Sequence, residues 1–270
     1  MVRTIAFLSD LGVRDEAIGV CHAVMDRIAP GVPVVHIGHG IAPMDVRAGA
    51  LTLVQALPYI ATDAVVLAVV DPGSGTDRLA IAVRTAADRL LVGPDNGLLS
   101  LAWRLDGGVS EAVVIDAPDV LVQPVSPVLH ARDVFAPAAA HLAAGRPLAS
   151  LGPVTDSAAL VTIGLADPEI GDRRLSAEVL DVDRFGNVRL NVRPDQLVAA
   201  GLGPDEPLEV ASTAAGARVA RIRTYGEMAN AGLGALADAW GWISIIRFEA
   251  SAADLLEVSI GDPIWVTAAD

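Results

Sequence analysis

From Thr4 to about Ala144, short apolar runs alternate with stretches whose apolar residues recur at helical spacing, the pattern of an α/β layered structure. Strands are predicted at Thr4–Leu8, Val34–Ile37, Val65–Val70, Ala80–Val83, Leu90–Val92 and Ala112–Ile115. Between them, Asp15–Ile28, a segment opening at Asp45, and Asp133–Leu142 read as helices with acidic caps or acidic first turns. Ala80–Val83 and Leu90–Val92 lie too close together for a crossover helix, so they predict a hairpin within a mostly parallel or mixed sheet.

After Gly145-Arg146-Pro147 the pattern changes. Gly164–Asp172 carries Gly, Asp and Pro without periodicity and reads as a linker between an α/β domain at 1–163 and a second domain at 173–270. The second domain shows short strand-like runs at Ser176–Leu180, Val188–Val192, Leu208–Ala211, Arg218–Thr224, Trp242–Phe248 and Ile264–Thr267. Their spacing by turns, with almost no long helical pattern, predicts a small β-barrel or sandwich.

Composition narrows the function. The 270 residues are 53% hydrophobic and 19% charged, enough apolar material for a sizeable core and too little charge for disorder. A net charge of −14 repels phosphate backbones, so nucleic acid is not an expected partner. All 19 basic residues are Arg, which removes Schiff-base chemistry and a Walker lysine together. Cys21 stands alone in an apolar run and reads as a core residue; with no zinc spacing, no metal and a reducing, cytoplasmic setting are expected. No secretory signal precedes the first strand, and no apolar run reaches the roughly 18 residues of a membrane span.

Candidate chemistry collects after strands, where open α/β sheets bind ligands. Asp10, in Ser9-Asp10-Leu11-Gly12, follows the first strand and reads either as a carboxylate for a ribose diol or as a turn former or helix cap. In Asp71-Pro72-Gly73-Ser74-Gly75-Thr76-Asp77-Arg78 an acid ends a hydrophobic strand, and a flexible turn can return Arg78 to Asp71. The plain alternative is a surface salt bridge worth at most about 1 kcal/mol. Gly93-Pro94-Asp95-Asn96-Gly97 is a tight turn, and His130, before Arg132-Asp133, is the best-placed acid/base group of the five histidines. His22 and His141 fall within helical patterns, while His36 and His39 flank a strand end with either reading open. Asp183-Arg184-Phe185-Gly186-Asn187 reads as a hairpin turn, or as an aromatic face and an amide offered to a planar base.

In this order these segments resemble the S-adenosyl-L-methionine hydroxide adenosyltransferase family, relatives of fluorinase and chlorinase. The resemblance runs over nearly the whole chain, to Gly261-Asp262-Pro263. It departs from the usual pattern at Leu11, where relatives carry Phe, at Ala131, where Gly is common, and across Gly241–Ile245, which leaves the methionine-carboxylate contacts unassigned. The resemblance implies an α/β domain followed by a β-barrel, and a homotrimer with active sites between subunits. The implied reaction is attack of water-derived hydroxide on the ribose C5′ of S-adenosylmethionine, which is substrate and not cofactor. It further implies that Asp71, Arg78 and His130 handle the water, that Asp10 binds the ribose diol, that Phe185 and Asn187 bind adenine or the methionine tail, and that Asp183 lies near the methionine ammonium. Halogenating relatives place an aromatic where Asp71 stands and carry an extra loop before the Gly93 turn. A non-catalytic adenosyl-binding protein would need no water-handling set.

Overall fold

The computed structural model describes residues 3–228 and 232–269, and the chain divides into two compact units, Met1–Gly164 and Leu165–Asp270. In the first, strands β1 (Ile5–Ser9), β2 (Val34–Gly38), β3 (Val65–Val69), β4 (Ala80–Thr85), β5 (Leu90–Pro94) and β6 (Val109–Val114) form one sheet of order β2-β1-β3-β5-β4-β6. β1, β2, β3 and β5 run parallel, whereas β4 is antiparallel to both β5 and β6, so the sheet is mixed and the predicted hairpin is present.

β1, β3 and β5 are buried at every position, as their unbroken apolar sequences require for strands covered on both faces. Ile5, Phe7, Val65, Leu67 and Val69 share a core with helix α1 (Ala17–Ile28) and helix α4 (Ala136–Ala143). Helix α2 (Val46–Ala56) packs with helix α3 (Ser100–Leu105), and Gly49 keeps the contact close: a Cβ there would lie 2.8 Å from Leu98 and 2.9 Å from Val70. The Asp45 carboxylate caps α2 by accepting from the Ala48 N–H at 2.8 Å. Cys21 is fully buried, and burial pushes its thiol up to about 11, the behaviour of an inert core residue.

The second unit carries β7 (Glu169–Gly171), β8 (Arg174–Val182), β9 (Val188–Leu190), β10 (Leu208–Ala211), β11 (Gly216–Arg221), β12 (Leu233–Ala237), β13 (Ile243–Arg247) and β14 (Pro263–Ala268). Pairing of β14 with β8 closes seven of these strands into a barrel, with β7 added outside on β8. Leu175, Ala177 and Val179 alternate inward along β8 until a register shift between Val179 and Asp181. Two short helices, α5 (Pro194–Ala199) and α6 (Ala252–Leu256), complete the unit.

Five of the named elements escape the sequence pattern: the short helices α3, α5 and α6, and the strands β7 and β12. α3 is a single short run. β7 lies inside the segment read as linker. β12, Leu-Gly-Ala-Leu-Ala, has no β-branched or aromatic residue to mark it as a strand. Tertiary packing accounts for β12: a Cβ at Gly234 would stand 2.5 Å from both Ile222 and Met228.

Candidate active site

Because β1, β3 and β5 are parallel and adjacent, their C-terminal ends share one edge, and the segments following them, at Asp10, Asp71 and Asp95-Asn96, emerge there. Hydrogen bonds tie these ends together: the Asp10 backbone N–H donates to the Val69 carbonyl at 3.3 Å, and the Asn96 side-chain amide donates to the Val70 carbonyl at 2.8 Å. Asp10 is no cap for α1, which starts at Ala17. Its Oδ2 instead accepts from the Met44 N–H at 2.9 Å, with Met44 in the left-handed region at φ 68°. Such a strained non-glycine backbone is typical of functional sites.

Asp71 and Arg78 meet as a two-pronged pair, Nε to Oδ1 at 2.9 Å and Nη2 to Oδ2 at 2.6 Å. Their side chains are only 7% and 8% exposed, so this is a buried pair and not the surface bridge that the spacing also allowed. Arg78 Nη2 lies 3.1 Å from His130 Nδ1, and the guanidinium sits 5.2 Å from the centre of the Phe135 ring. Facing an obligate donor, His130 Nδ1 must be the acceptor, which sets the ring as the Nε2–H tautomer. Burial, reinforced by the Arg78 charge, pulls the His130 pKa below 6.5 against the opposing pull of Asp71 and Asp133, so the ring is neutral at neutral pH. Arg78 Nη1 is buried with no hydrogen-bond partner among the described residues.

Local sequence explains the convergence. The turn after Asp71 closes through Thr76 N–H and Oγ1, both donating to the Gly73 carbonyl at 3.1 and 2.7 Å. Gly75 has φ +79°, and a Cβ there would lie 2.6 Å from the Pro127 carbonyl oxygen, so this glycine lets the turn approach the loop that carries His130. That loop is folded around Asp133. The carboxylate is fully buried and accepts from the Ser126 N–H at 2.8 Å and from Arg132 Nε at 2.6 Å. A π-helical turn at Ala131–Phe135 then leads into α4, where Pro137 has no N–H to continue the ladder from before.

Three residues at this edge, a turn pair and an ambiguous histidine in the sequence pattern, join the candidates. Burial raises the Asp95 carboxyl, while the Val161 N–H, at 2.8 Å, and the Arg78 charge pull it back. Asn96 bridges the ends of β3 and β5. His39, 7% exposed, joins Ser9 Oγ at 2.7 Å. The position of Asp95-Asn96 straight after a buried strand was the available signal; nothing local marked His39.

In the second unit the Asp183 carboxylate shapes its own turn, accepting from the N–H groups of Phe185 (2.8 Å) and Asn187 (3.0 Å) and from the Asn187 amide (2.8 Å). Asp183 is thus a turn former, in line with the hairpin reading, and its remaining lone pairs stay available to a cation. Gly186, at φ +78°, presses the turn against Ser251, and the Ala252 and Ala253 N–H groups both donate to its carbonyl. Phe185 is left 65% exposed. With Asn187, Tyr225, Arg247 and Ser251 it lines a cavity of about 660 Å³, large enough for a nucleoside. Tyr225 and Arg247 are additions to the residues expected from sequence. Among the described residues no group of three or more His, Cys, Asp or Glu is arranged to hold a metal ion, and no helix is long and apolar enough to cross a membrane.

Comparison with known proteins agrees with this architecture. Residues 5–152 match the N-terminal domain of the SAM hydroxide adenosyltransferases and residues 177–265 match their C-terminal domain. The chain is 43% identical to an (R)-S-adenosyl-L-methionine hydrolase of Salinispora tropica, over 98% of this chain and 97% of that one. It is 39% identical to a protein of the same name from Thermus thermophilus, over 97% and 99%. A fluorinase of Nocardia brasiliensis is 30% identical over 76% of each chain. Among solved structures, an uncharacterized conserved protein from Thermotoga maritima superposes with a TM-score of 0.91 at 31% identity, over 98% of this chain and all of that one. The domain matches, the full-length relatives and the shared fold together show that the chain belongs to the SAM hydroxide adenosyltransferase family.

Proposed function

We propose that this protein is an S-adenosyl-L-methionine hydrolase that forms adenosine and L-methionine. The observation that carries this reading is the buried Asp71–Arg78–His130 set, in which the buried Nη1 of Arg78 has no hydrogen-bond partner among the described residues. The sulfonium already leaves as a neutral thioether, so the protein's work is to align and activate a nucleophile. Bulk water, with a pKa of about 15.7, needs neighbouring charge to become hydroxide-like. Arg78 Nη1 stabilises charge developing on the attacking oxygen, Asp71 offers its remaining carboxylate lone pairs to the proton, and His130, with Nδ1 engaged by Arg78, orients the water through Nε2–H. The C5′–O bond forms as the C5′–S bond breaks, and sulfur keeps the electron pair.

Asp10 takes the ribose diol, the Phe185 ring and Asn187 amide take adenine or the methionine tail, and Asp183 lies near the methionine ammonium. The exposed ring and the cavity beside it support this half of the reading. A homotrimer with each site shared between subunits completes it on the strength of the family resemblance, and a cytoplasmic setting without metal follows from the lone cysteine and the lack of zinc-ligand spacing. A carboxylate at 71 disfavours a halide nucleophile through like-charge repulsion, which separates this reading from that of the fluorinase relatives.

Incubation with S-adenosylmethionine, with and without chloride or fluoride, followed by separation of products, tests the proposal. Adenosine and methionine are expected in halide-free buffer, with turnover unchanged by exhaustive chelation. A halogenated nucleoside would reassign the reaction. Intact substrate after prolonged incubation with folded, ligand-binding protein would reduce it to a binding protein.

A further inference from the structure

Outside the water-handling set, the first unit holds a cluster of histidines. His39, buried at the end of β2, places Nδ1 2.7 Å from Ser9 Oγ and Nε2 2.7 Å from His36 Nδ1. Ser9 is fully buried, whereas His36 faces solvent on the edge strand. The ring of His22, from α1, stands 5.6 Å from that of His36, and Phe7 meets His39 edge-on at 4.7 Å. A line of hydrogen bonds therefore runs from the surface to the residue immediately before Asp10.

The contacts of His39 all bear on the turn that carries Asp10. Its ring holds Ser9, its carbonyl accepts from the Gly12 N–H at 2.9 Å, and Ser9 Oγ in turn accepts from the Leu11 N–H at 3.3 Å. Asp10 lies between these two anchor points. Five residues further on, Met44 donates to the Asp10 carboxylate itself. A neutral His39 bridges its two neighbours in either direction: the Ser9 hydroxyl donates to Nδ1 while Nε2–H donates to His36, or Nδ1–H donates to Ser9 Oγ while Nε2 accepts from His36. A second proton on His39 would put donors on both ring nitrogens and remove the acceptor that one of these neighbours uses.

We propose that His39 is a positioning residue for substrate binding: its ring and carbonyl clamp the Ser9–Gly12 turn and so fix the Asp10 carboxylate for the ribose diol. The proposal rests on the reading of Asp10 given above. A misplaced diol carboxylate weakens binding and leaves the water-handling set untouched, so the effect falls on KM and not on kcat.

The test compares wild type with His39→Ala, His39→Asn, Asp10→Asn and the His39→Ala/Asp10→Asn double variant, reading KM and kcat for S-adenosylmethionine and, by calorimetry, Kd for adenosine. His39→Ala is expected to raise KM and Kd about tenfold with kcat changed less than about twofold. His39→Asn, whose amide reaches the Nδ1 position, should recover most of that loss. The double variant should be no worse than Asp10→Asn alone, because both changes remove one interaction. Additive losses, an equal fall in kcat, or affinity unchanged in His39→Ala would each overturn the proposal. If His39→Ala does not fold, a His39→Asn variant with wild-type affinity and unshifted Leu11 and Gly12 amide resonances is expected, and displaced resonances without loss of affinity would overturn it. Wild-type protein that binds adenosine without hydrolysing S-adenosylmethionine would sink the hydrolase reading alone, since the Kd comparison still decides the role of His39.

Discussion

Arg78 is gripped three ways: by the Asp71 fork, by His130 Nδ1 and by the face of Phe135. Each grip uses the planar guanidinium, so a lysine would keep the charge and lose the geometry. Arg78→Lys is expected to lower kcat by about 10²–10³, the usual cost of one misplaced transition-state donor; steady-state kinetics with full KM determination checks it, and a near-normal kcat would remove Arg78 from the chemistry. The pH dependence follows from His130. Its ring accepts from Arg78 only when unprotonated, and burial with the Arg78 charge lowers its pKa from 6.5. The neutral form therefore survives further into acid than for an ordinary histidine. A profile of kcat/KM should stay level as pH falls through 6.5 and decline only below it; an acid limb centred above 6.5 would contradict the assignment. The sequence named these residues individually, because an acid ending an apolar strand and an Arg after a Gly-rich turn are local signals. It could not say that the pair is buried, which depends on His130, 52 residues on from Arg78, and Phe135 packing against the guanidinium.

Among elements, the turn between Asp71 and Arg78 is the one on which the site depends. Gly75→Ala would force a Cβ to 2.6 Å from the Pro127 carbonyl at a φ of +79°. The expected result is a loss of about 1–3 kcal/mol in stability together with a fall in kcat, since the turn must retreat from the His130 loop. Denaturant unfolding beside kinetics reads both, and full activity with unchanged stability would show the approach to be dispensable. β12 makes the complementary point. Its Ala and Gly composition suits no strand, yet it is flanked by β11 and β13 inside the closed barrel, and burial among Ile222 and Met228 overrides propensity. The parallel strands of the first sheet needed no such override, since continuous Val, Leu and Ile runs suit a sheet covered on both sides.

At the scale of the whole molecule, two predictions concern stability and assembly. Burial, with the neighbouring His36, lowers His39 to about 4, whereas the unfolded chain takes up that proton near 6.5. Below 6.5 the unfolded state binds more protons, so stability falls with pH through this window and is retained above it, by on the order of a few kcal/mol in all. Denaturant midpoints across the same range measure it, and a His39→Asn variant should flatten the slope. For assembly, mixing Asp71→Asn with Asn187→Ala protein should regain activity through hybrid trimers if each site draws on two subunits. A fully active monomer by light scattering would reject the shared site.

The α/β alternation of the first unit, its hairpin, the strand-rich character of the second unit and the family motifs that imply a barrel were legible in the sequence, because hydrophobic period and turn chemistry are local properties read within a few residues. What only the tertiary structure decided are relations between segments distant in the chain. These are the approach of Gly75 to Pro127, the burial of Asp71 and Arg78 against Phe135, the inclusion of β12 in the barrel, and the line from His36 through His39 to Ser9. A histidine beside a strand end carries no mark of its partner 30 residues earlier. That pairing exists because parallel β1 and β2 bring the two positions together, and its chemistry follows from the burial that the sheet imposes.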